Sequence, residues 1–433
     1  MGQITRRGLT AAAAGAVAAA AVPARAAACG RAEEAARDPR PAAHDAGAGR
    51  CRAERRFRGM WLATVANRDW PSRPGLPAAR QREELLAFLD AAAERRLNAV
   101  VFQVRPTADA LWPSSYEPWA EYLTGVQGKD PGWDPLGTAV REAHRRDLEL
   151  HAWFNPYRIA NHADPARLSP RHPARAHPDW VVPYGGKLYY NPGLPRVRRF
   201  VQDAMLDAVA RYDIDAVHWD DYFYPYPVAG QRFDDDAAYE RYGGDFPDRA
   251  AWRRDNTDRL VREMAERIKK LKEEVRFGIS PFAVWRNRAT DPRGSDTRAG
   301  VQTYDDLYAD TRKWVFEEWI DYIVPQVYWH LGFEAADYAT LVPWWSEVVR
   351  DTDVHLYIGE ALYKAGAAGQ PAPWQDPAEL SRHLTFDRDF PEVLGNVFFS
   401  AKEVVEDRIG AMARVVEDHY PDRVRPPRDK AAA

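Results

Sequence analysis

From Phe57 onward, short apolar runs alternate with amphipathic stretches eight times, and this rhythm restricts the available folds more than any other feature of the chain. The apolar runs occupy 57–65, 98–106, 148–157, 215–224, 276–285, 321–329, 354–363 and 395–401 and read as buried strands. Helical patterns fill the intervals at 80–96, 135–146, 195–212, 249–274, 304–319, 335–350 and 377–388, with a last one at 402–419. In the first of these, Leu85, Phe88 and Leu89 share one face. Pro195 opens the third at the first turn, where its missing N–H costs nothing. Eight βα units in series predict an α/β fold, a (β/α)8 TIM barrel built as a single domain with long βα loops. An open, doubly wound sheet is the alternative; the eighth unit at the end of the domain favours closure.

Loop lengths point the same way. Links from helix to strand are short, around Leu97, Asp147, Asp213 and Asp351. Links from strand to helix are long at 107–134, 158–194, 225–248, 286–303 and 364–376. The long loops therefore gather at the carboxyl ends of the strands, where barrel enzymes build their sites.

The first residues read as an export signal spanning 1–28. Thr5-Arg6-Arg7-Gly8-Leu9-Thr10 is a twin-arginine pattern, an Ala/Val run follows from Ala11 to Val22, and Pro23-Ala24-Arg25-Ala26 offers a small-residue cleavage site. An extracellular or cell-surface location follows. Residues 29–54 read as a linker, 55–420 as the barrel and 421–433 as a disordered tail. Ala26-Ala27-Ala28-Cys29 is a weak lipobox, so two fates for Cys29 stay open: lipidation and a membrane tether, or pairing with Cys51 after ordinary cleavage. Beyond this leader no apolar run is long enough to cross a bilayer. A net charge of -4 provides no basic field, so nucleic acid is not an expected partner.

The densest chemistry is His218-Trp219-Asp220-Asp221-Tyr222-Phe223-Tyr224-Pro225, which follows the apolar run Ile214-Asp215-Ala216-Val217. Buried carboxylates must be paired, hydrogen-bonded or protonated. Strand alternation would turn Asp220 and Asp221 to opposite faces, so only one is expected to look into the site. The flanking rings of Trp219, Tyr222, Phe223, Tyr224 and Tyr226 are of the kind that stacks on sugars.

The other strand ends add Trp61, with Asn67, Arg68 and Asp69 beyond it; Gln103 and Arg105; and Trp153, Asn155, Tyr157 and Arg158. Ser280 and Phe282 follow, then Gln326, Tyr328, Trp329 and His330, then Glu360, Tyr363 and Lys364, and finally Ser400 and Lys402. Amides and guanidinium groups suit hydroxyls, aromatics suit pyranose faces, and carboxylates handle the proton and oxocarbenium charge. Arg105 and Arg158 suit an anionic substrate group or the aspartates themselves; His218 suits a proton relay or a core position. Glycoside hydrolysis needs an acid and a second carboxylate. A strand-four aspartate, Asp220 first with Asp221 as its orienting partner or the reverse, is expected to work with Glu360 across the barrel mouth. The competing structural roles are an ion pair of Asp221 with Arg158 or Arg105, and of Glu360 with Lys364 or Arg286.

Neither a metal nor a cofactor is expected. Strand one, Arg58-Gly59-Met60-Trp61-Leu62-Ala63, lacks a His-x-His pair, and the chain has no HExxH, Gly-rich phosphate loop or GxSxG elbow. Asp234-Asp235-Asp236 reads as a solvated loop.

These stretches resemble the glycosyl-hydrolase-like 10 family over about residues 55–365. The resemblance is carried by Phe57-Arg58-Gly59-Met60-Trp61-Leu62-Ala63-Thr64-Val65 with Asp69-Trp70-Pro71, by Asn98-Ala99-Val100-Val101-Phe102-Gln103-Val104-Arg105-Pro106, and by His151-Ala152-Trp153-Phe154-Asn155-Pro156-Tyr157-Arg158. Asp220-Asp221-Tyr222-Phe223-Tyr224-Pro225, Phe277-Gly278-Ile279-Ser280-Pro281-Phe282 and Asp321-Tyr322-Ile323-Val324-Pro325-Gln326-Val327-Tyr328-Trp329 complete it. The resemblance implies an exported barrel, and one branch of the family cleaves peptidoglycan strands stripped of stem peptides. It supports the strand-four aspartates more than Glu360. The expectation is thus a glycoside hydrolase acting on a polysaccharide of the bacterial cell wall. Hydrolysis of another extracellular polysaccharide and a non-catalytic glycan-binding barrel are the alternatives.

Overall fold

The computed structural model describes residues 56–427; the expected signal, the linker and both cysteines lie outside this range. Eight parallel strands form a closed barrel: β1 (Phe57–Leu62), β2 (Ala99–Arg105), β3 (Glu149–Phe154), β4 (Ala216–Trp219), β5 (Arg276–Ile279), β6 (Tyr322–Ile323), β7 (His355–Glu360) and β8 (Val393–Phe399). Closure is made by β1 on β8, with Phe57 opposite Gly395 and Trp61 opposite Phe399. Most strands are shorter than their apolar runs. β4 stops at Trp219 and β6 has only two residues, because the rest of each run enters the loops at the carboxyl face.

The helices pack outside, led by α1 (Ala78–Glu94), α2 (Pro135–His144), α3 (Pro195–Arg211), α4 (Arg249–Leu271), α5 (Thr311–Phe316), α6 (Tyr338–Val349) and α7 (Glu379–Asp387). Several starts are fixed by aspartate caps: Asp134 accepts from Gly137 N, Asp248 from Ala251 N and Asp337 from Ala339 N. Two expected helices are interrupted. The 304–319 stretch folds as one turn, Thr303–Asp306, before α5. The 402–419 stretch breaks into Ala401–Glu406 and Ala411–His419, because Asp407 (φ 40°) and Gly410 (φ 76°) take the left-handed region. The expected tail boundary also moves. Residues through Pro427 cross the amino-terminal mouth, where Asp422 O accepts from Arg58 Nη1 at 2.7 Å and Val424 O from Asn98 Nδ2 at 3.2 Å.

The lumen is packed solid. At its base Arg276 pairs with Glu149, which also accepts from His151 Nε2 at 3.2 Å. Above them the Tyr322 hydroxyl lies 2.8 Å from His151 Nδ1 and 3.1 Å from His218 Nδ1. Gly278 makes room for that phenol: a β-carbon there would sit 2.1 Å from the Tyr322 ring. His218 Nε2 in turn accepts from the Trp61 indole at 3.2 Å. This column fixes the floor on which the carboxyl-end pocket stands.

Candidate active site

A pocket of about 230 Å³ opens at the carboxyl ends of the strands. Both Asp220 and Asp221 line it, against the expectation that alternation would separate them. The reason is local: β4 ends at Trp219, so neither residue is bound by the strand's two-residue period.

The two carboxylates have different surroundings. Asp220 accepts from Trp153 Nε1 at 3.0 Å, from Asn155 Nδ2 at 3.0 Å and 3.1 Å, and from Tyr222 N at 3.4 Å. Burial pushes its pKa up, while the Arg158 charge and these donors favour the ionised form. Asp221 accepts from the Tyr226 hydroxyl. Burial, followed by the charge of Asp220, pushes its carboxyl up to about 7. Burial thus raises both carboxyls, and the charge of Asp220 adds to the rise at Asp221; two neighbouring acids in unlike surroundings are an arrangement that can divide the roles of proton donor and anion.

Of the residues expected to contact substrate, Trp61, Gln103, Arg158, Tyr222, Gln326 and Tyr328 line the pocket. Gln103 Oε1 accepts from Thr64 N at 3.0 Å and Val65 N at 2.9 Å, which fixes the amide orientation; its Nε2 is buried without a protein acceptor. Arg158 lies over the Tyr222 ring, 4.9 Å from its centroid, and donates to Pro106 O at 3.1 Å. Arg68, Trp153, Ser280, Tyr363 and Phe399 complete much of the wall. Of these, Phe399 is not singled out by the sequence; Trp153 in the wall and Tyr226 beside it, read there as rings for the sugar, each donate to an aspartate instead.

Six expected site residues lie outside the pocket lining. Glu360 is fully buried on the outer face of the barrel, accepting from Tyr338 Oη at 2.8 Å, His383 Nδ1 at 2.9 Å and Asn396 Nδ2 at 3.0 Å. It cannot serve as the partner across the mouth, nor does it pair with Lys364 or Arg286. Arg105 is buried in a two-pronged pair with Glu117, 2.6 Å at its Nε, so it binds neither aspartate nor substrate. Tyr157 belongs to the hydrophobic core between barrel and helices. Trp329 stacks on Phe333 and meets the Phe282 ring edge-on, outside the pocket lining. His218 lies in the column below, where burial holds it well under its ordinary pKa, so it is a neutral core histidine. Asn155 acts through Asp220, as a positioning residue.

Fold and pocket together place the chain among the (β/α)8 barrels of the glycoside hydrolase kind. It belongs to the glycosyl hydrolase-like 10 family, whose profile matches residues 56–376. It is 53% identical over 370 residues to "Glycosyl hydrolase YngK" of Bacillus subtilis, covering 85% of this chain and 72% of that one. It is 41% identical over 363 residues to "Glycosyl hydrolase DigH" of Escherichia coli K12, covering 79% and 82%. Among solved structures, the PgaB (BpsB) glycoside hydrolase domain from Bordetella bronchiseptica superposes with a TM-score of 0.52 at 12% identity, covering 85% of this chain and 99% of that domain. Alpha-L-fucosidase isoenzyme 2 from Paenibacillus thiaminolyticus superposes with a TM-score of 0.54 at 11% identity; 84% of this chain spans 49% of the fucosidase. At these identities the two superpositions establish the barrel alone.

Proposed function

We propose that the protein is an exported glycoside hydrolase that cuts bacterial cell-wall glycan, specifically peptidoglycan strands lacking stem peptides. Two adjacent carboxylates in one aromatic-lined pocket, one surrounded by donors and the other beside its charge, are the observation that carries this reading. Asp221 is the general acid: it gives its proton to the glycosidic oxygen as the bond to C1 breaks. Asp220 remains an anion below the developing positive charge. Trp61, Tyr222 and Tyr328 supply faces for the sugar ring. The family relationship and the names of the two relatives support hydrolysis. The twin-arginine leader supports export.

Purified protein is incubated with intact and with amidase-stripped peptidoglycan, and the released fragments are read by mass spectrometry. Release from stripped glycan, abolished by Asp221→Asn and by Asp220→Asn, is expected. Glycan that is retained on the protein but not cut would make this a binding barrel; release from a different polysaccharide alone would replace the substrate.

A further inference from the structure

An enzyme that uses two carboxylates for glycoside hydrolysis places them on opposite sides of the scissile bond, roughly 5 Å or more apart. Here both pocket carboxylates come from consecutive residues on one wall. The wall facing them is aromatic. Tyr328, Tyr363 and Phe399 form a mutually contacting triangle with ring centroids 5.8 Å, 6.2 Å and 6.0 Å apart, and Trp61 continues it 6.0 Å from Phe399. The other acids at this end of the barrel are turned away or fully engaged. Glu360 faces the helices. Asp69 accepts from Ala63 N at 2.8 Å and Ser400 Oγ at 2.6 Å, and Glu403 pairs with Arg68 at 3.0 Å. Among the described residues, Asp220 and Asp221 are therefore the only carboxylates on the pocket surface.

We infer that the second catalytic group is supplied by the substrate: the sugar cut is a 2-acetamido-2-deoxy sugar, whose own acetamido oxygen attacks C1 while Asp220 holds the acetamido N–H and Asp221 serves the leaving oxygen. This rests on the hydrolase reading above and adds to it the identity of the nucleophile. As the acetamido carbonyl oxygen bonds to C1, the bond from C1 to the leaving oxygen breaks, and Asp221 passes its proton to that oxygen. The product is a bicyclic oxazolinium ion. Its N–H lies against the Asp220 anion, which balances the positive charge. Water then adds to C1 and returns a proton to the Asp221 carboxylate; the C1–O bond of the ring breaks and the acetamido group is restored. One water is consumed and the configuration at C1 is retained.

The placement of donors agrees with this division of labour. Trp153, Asn155 and Tyr222 N orient Asp220 through both of its oxygens, as suits a group that must aim at one substrate N–H and stay ionised. Asp221 is held by the Tyr226 hydroxyl, with the Gln326 amide also beside it, on the lining from which it would reach the glycosidic oxygen. Among the described residues the facing wall adds no third carboxylate to compete for C1, and its rings present faces to the sugar.

The full chain is assayed on glycan oligomers in which the sugar at the cut bond carries an N-acetyl, N-fluoroacetyl, N-difluoroacetyl or N-trifluoroacetyl group, with the anomer first formed read by NMR. Fluorine weakens the carbonyl oxygen as a nucleophile. Across the series kcat should fall steadily, by about 100-fold or more at the trifluoro end, because a positioned internal nucleophile is being lost. The first-formed anomer should match the substrate. Equal kcat across the series, or an inverted product, would overturn substrate participation and leave the hydrolase reading standing. If no member is cut, including N-acetyl, both readings fall.

Discussion

Replacing Glu360 by alanine should destabilise the fold and leave the chemistry intact. In the native state this carboxylate is fully buried and accepts from Tyr338 at 2.8 Å, His383 at 2.9 Å and Asn396 at 3.0 Å. Asp387 shares the Tyr338 hydroxyl at 2.9 Å and the Asn396 amide at 2.8 Å, so those two donors keep a partner after the substitution. His383 keeps Glu379 at 3.3 Å but loses its shorter contact. Removing one member of a buried charged cluster costs about 3–5 kcal/mol. At about 1.3 °C per kcal/mol for a fold of this size, Tm should drop by about 4–6 °C. Differential scanning gives that shift, and glycan release at 25 °C gives activity per folded molecule, which should stay within about twofold of wild type because no shared contact links the two sites. A variant with wild-type Tm that has lost glycan release by two orders of magnitude would refute the outward placement of Glu360 and restore it as a catalytic group.

Other perturbations separate the remaining roles. Arg105→Ala leaves Glu117 as an uncompensated buried anion and should cost about 3–5 kcal/mol in urea unfolding, whereas Arg105→Met combined with Glu117→Leu should recover most of it. Trp153→Phe deletes one donor to the Asp220 anion, so the acidic limb of the kcat/KM profile should move to higher pH, while the basic limb set by Asp221 stays near 7. An unchanged acidic limb would remove Asp220 from the titration. Burial pushes the His383 imidazolium down, yet Glu360 and Glu379 outweigh it and raise its pKa to about 9 from 6.5. A raised basic group contributes stability that is complete below the unfolded value and declines as pH rises towards 9. His383→Gln should flatten that decline in chemical unfolding between pH 6.5 and 9.

Much of the architecture is readable in the chain because each strand is buried on both sides, by the lumen and by the helices, and therefore appears as a continuous apolar run. The same property blurs strand ends. The run at 215–224 does not change character where β4 stops at Trp219, so the alternation rule is carried too far and wrongly separates Asp220 from Asp221. Glu360 fails for a different reason. Leu356 and Ile358 pack in the outer core while Tyr357 fills the lumen, so Glu360 shares the outward face. A continuous apolar strand gives no hint of that parity until one residue is anchored, and Tyr357 is the anchor. For Arg105 even parity would mislead. Val101 points into the lumen, and strict alternation would send Arg105 there too, but the register against β3 shifts between Gln103 and Arg105 and turns the guanidinium outward. The aromatic wall is assembled from the ends of β1 and β8 and the loops after β6 and β7, a juxtaposition that closure alone creates.

The role given to Asp221 is tested most directly by leaving-group dependence. Wild-type protein, Asp221→Asn and Asp220→Asn are compared on N-acetylated glycan oligomers and on the same oligomers carrying a 2,4-dinitrophenyl leaving group, which departs without a proton. Asp221→Asn should lose about 10²- to 10⁴-fold on the natural bond and little on the aryl glycoside, while Asp220→Asn should lose on both. Equal loss on both substrates for Asp221→Asn, or full activity on the natural bond, would contradict its assignment as the acid and with it the paired-aspartate centre.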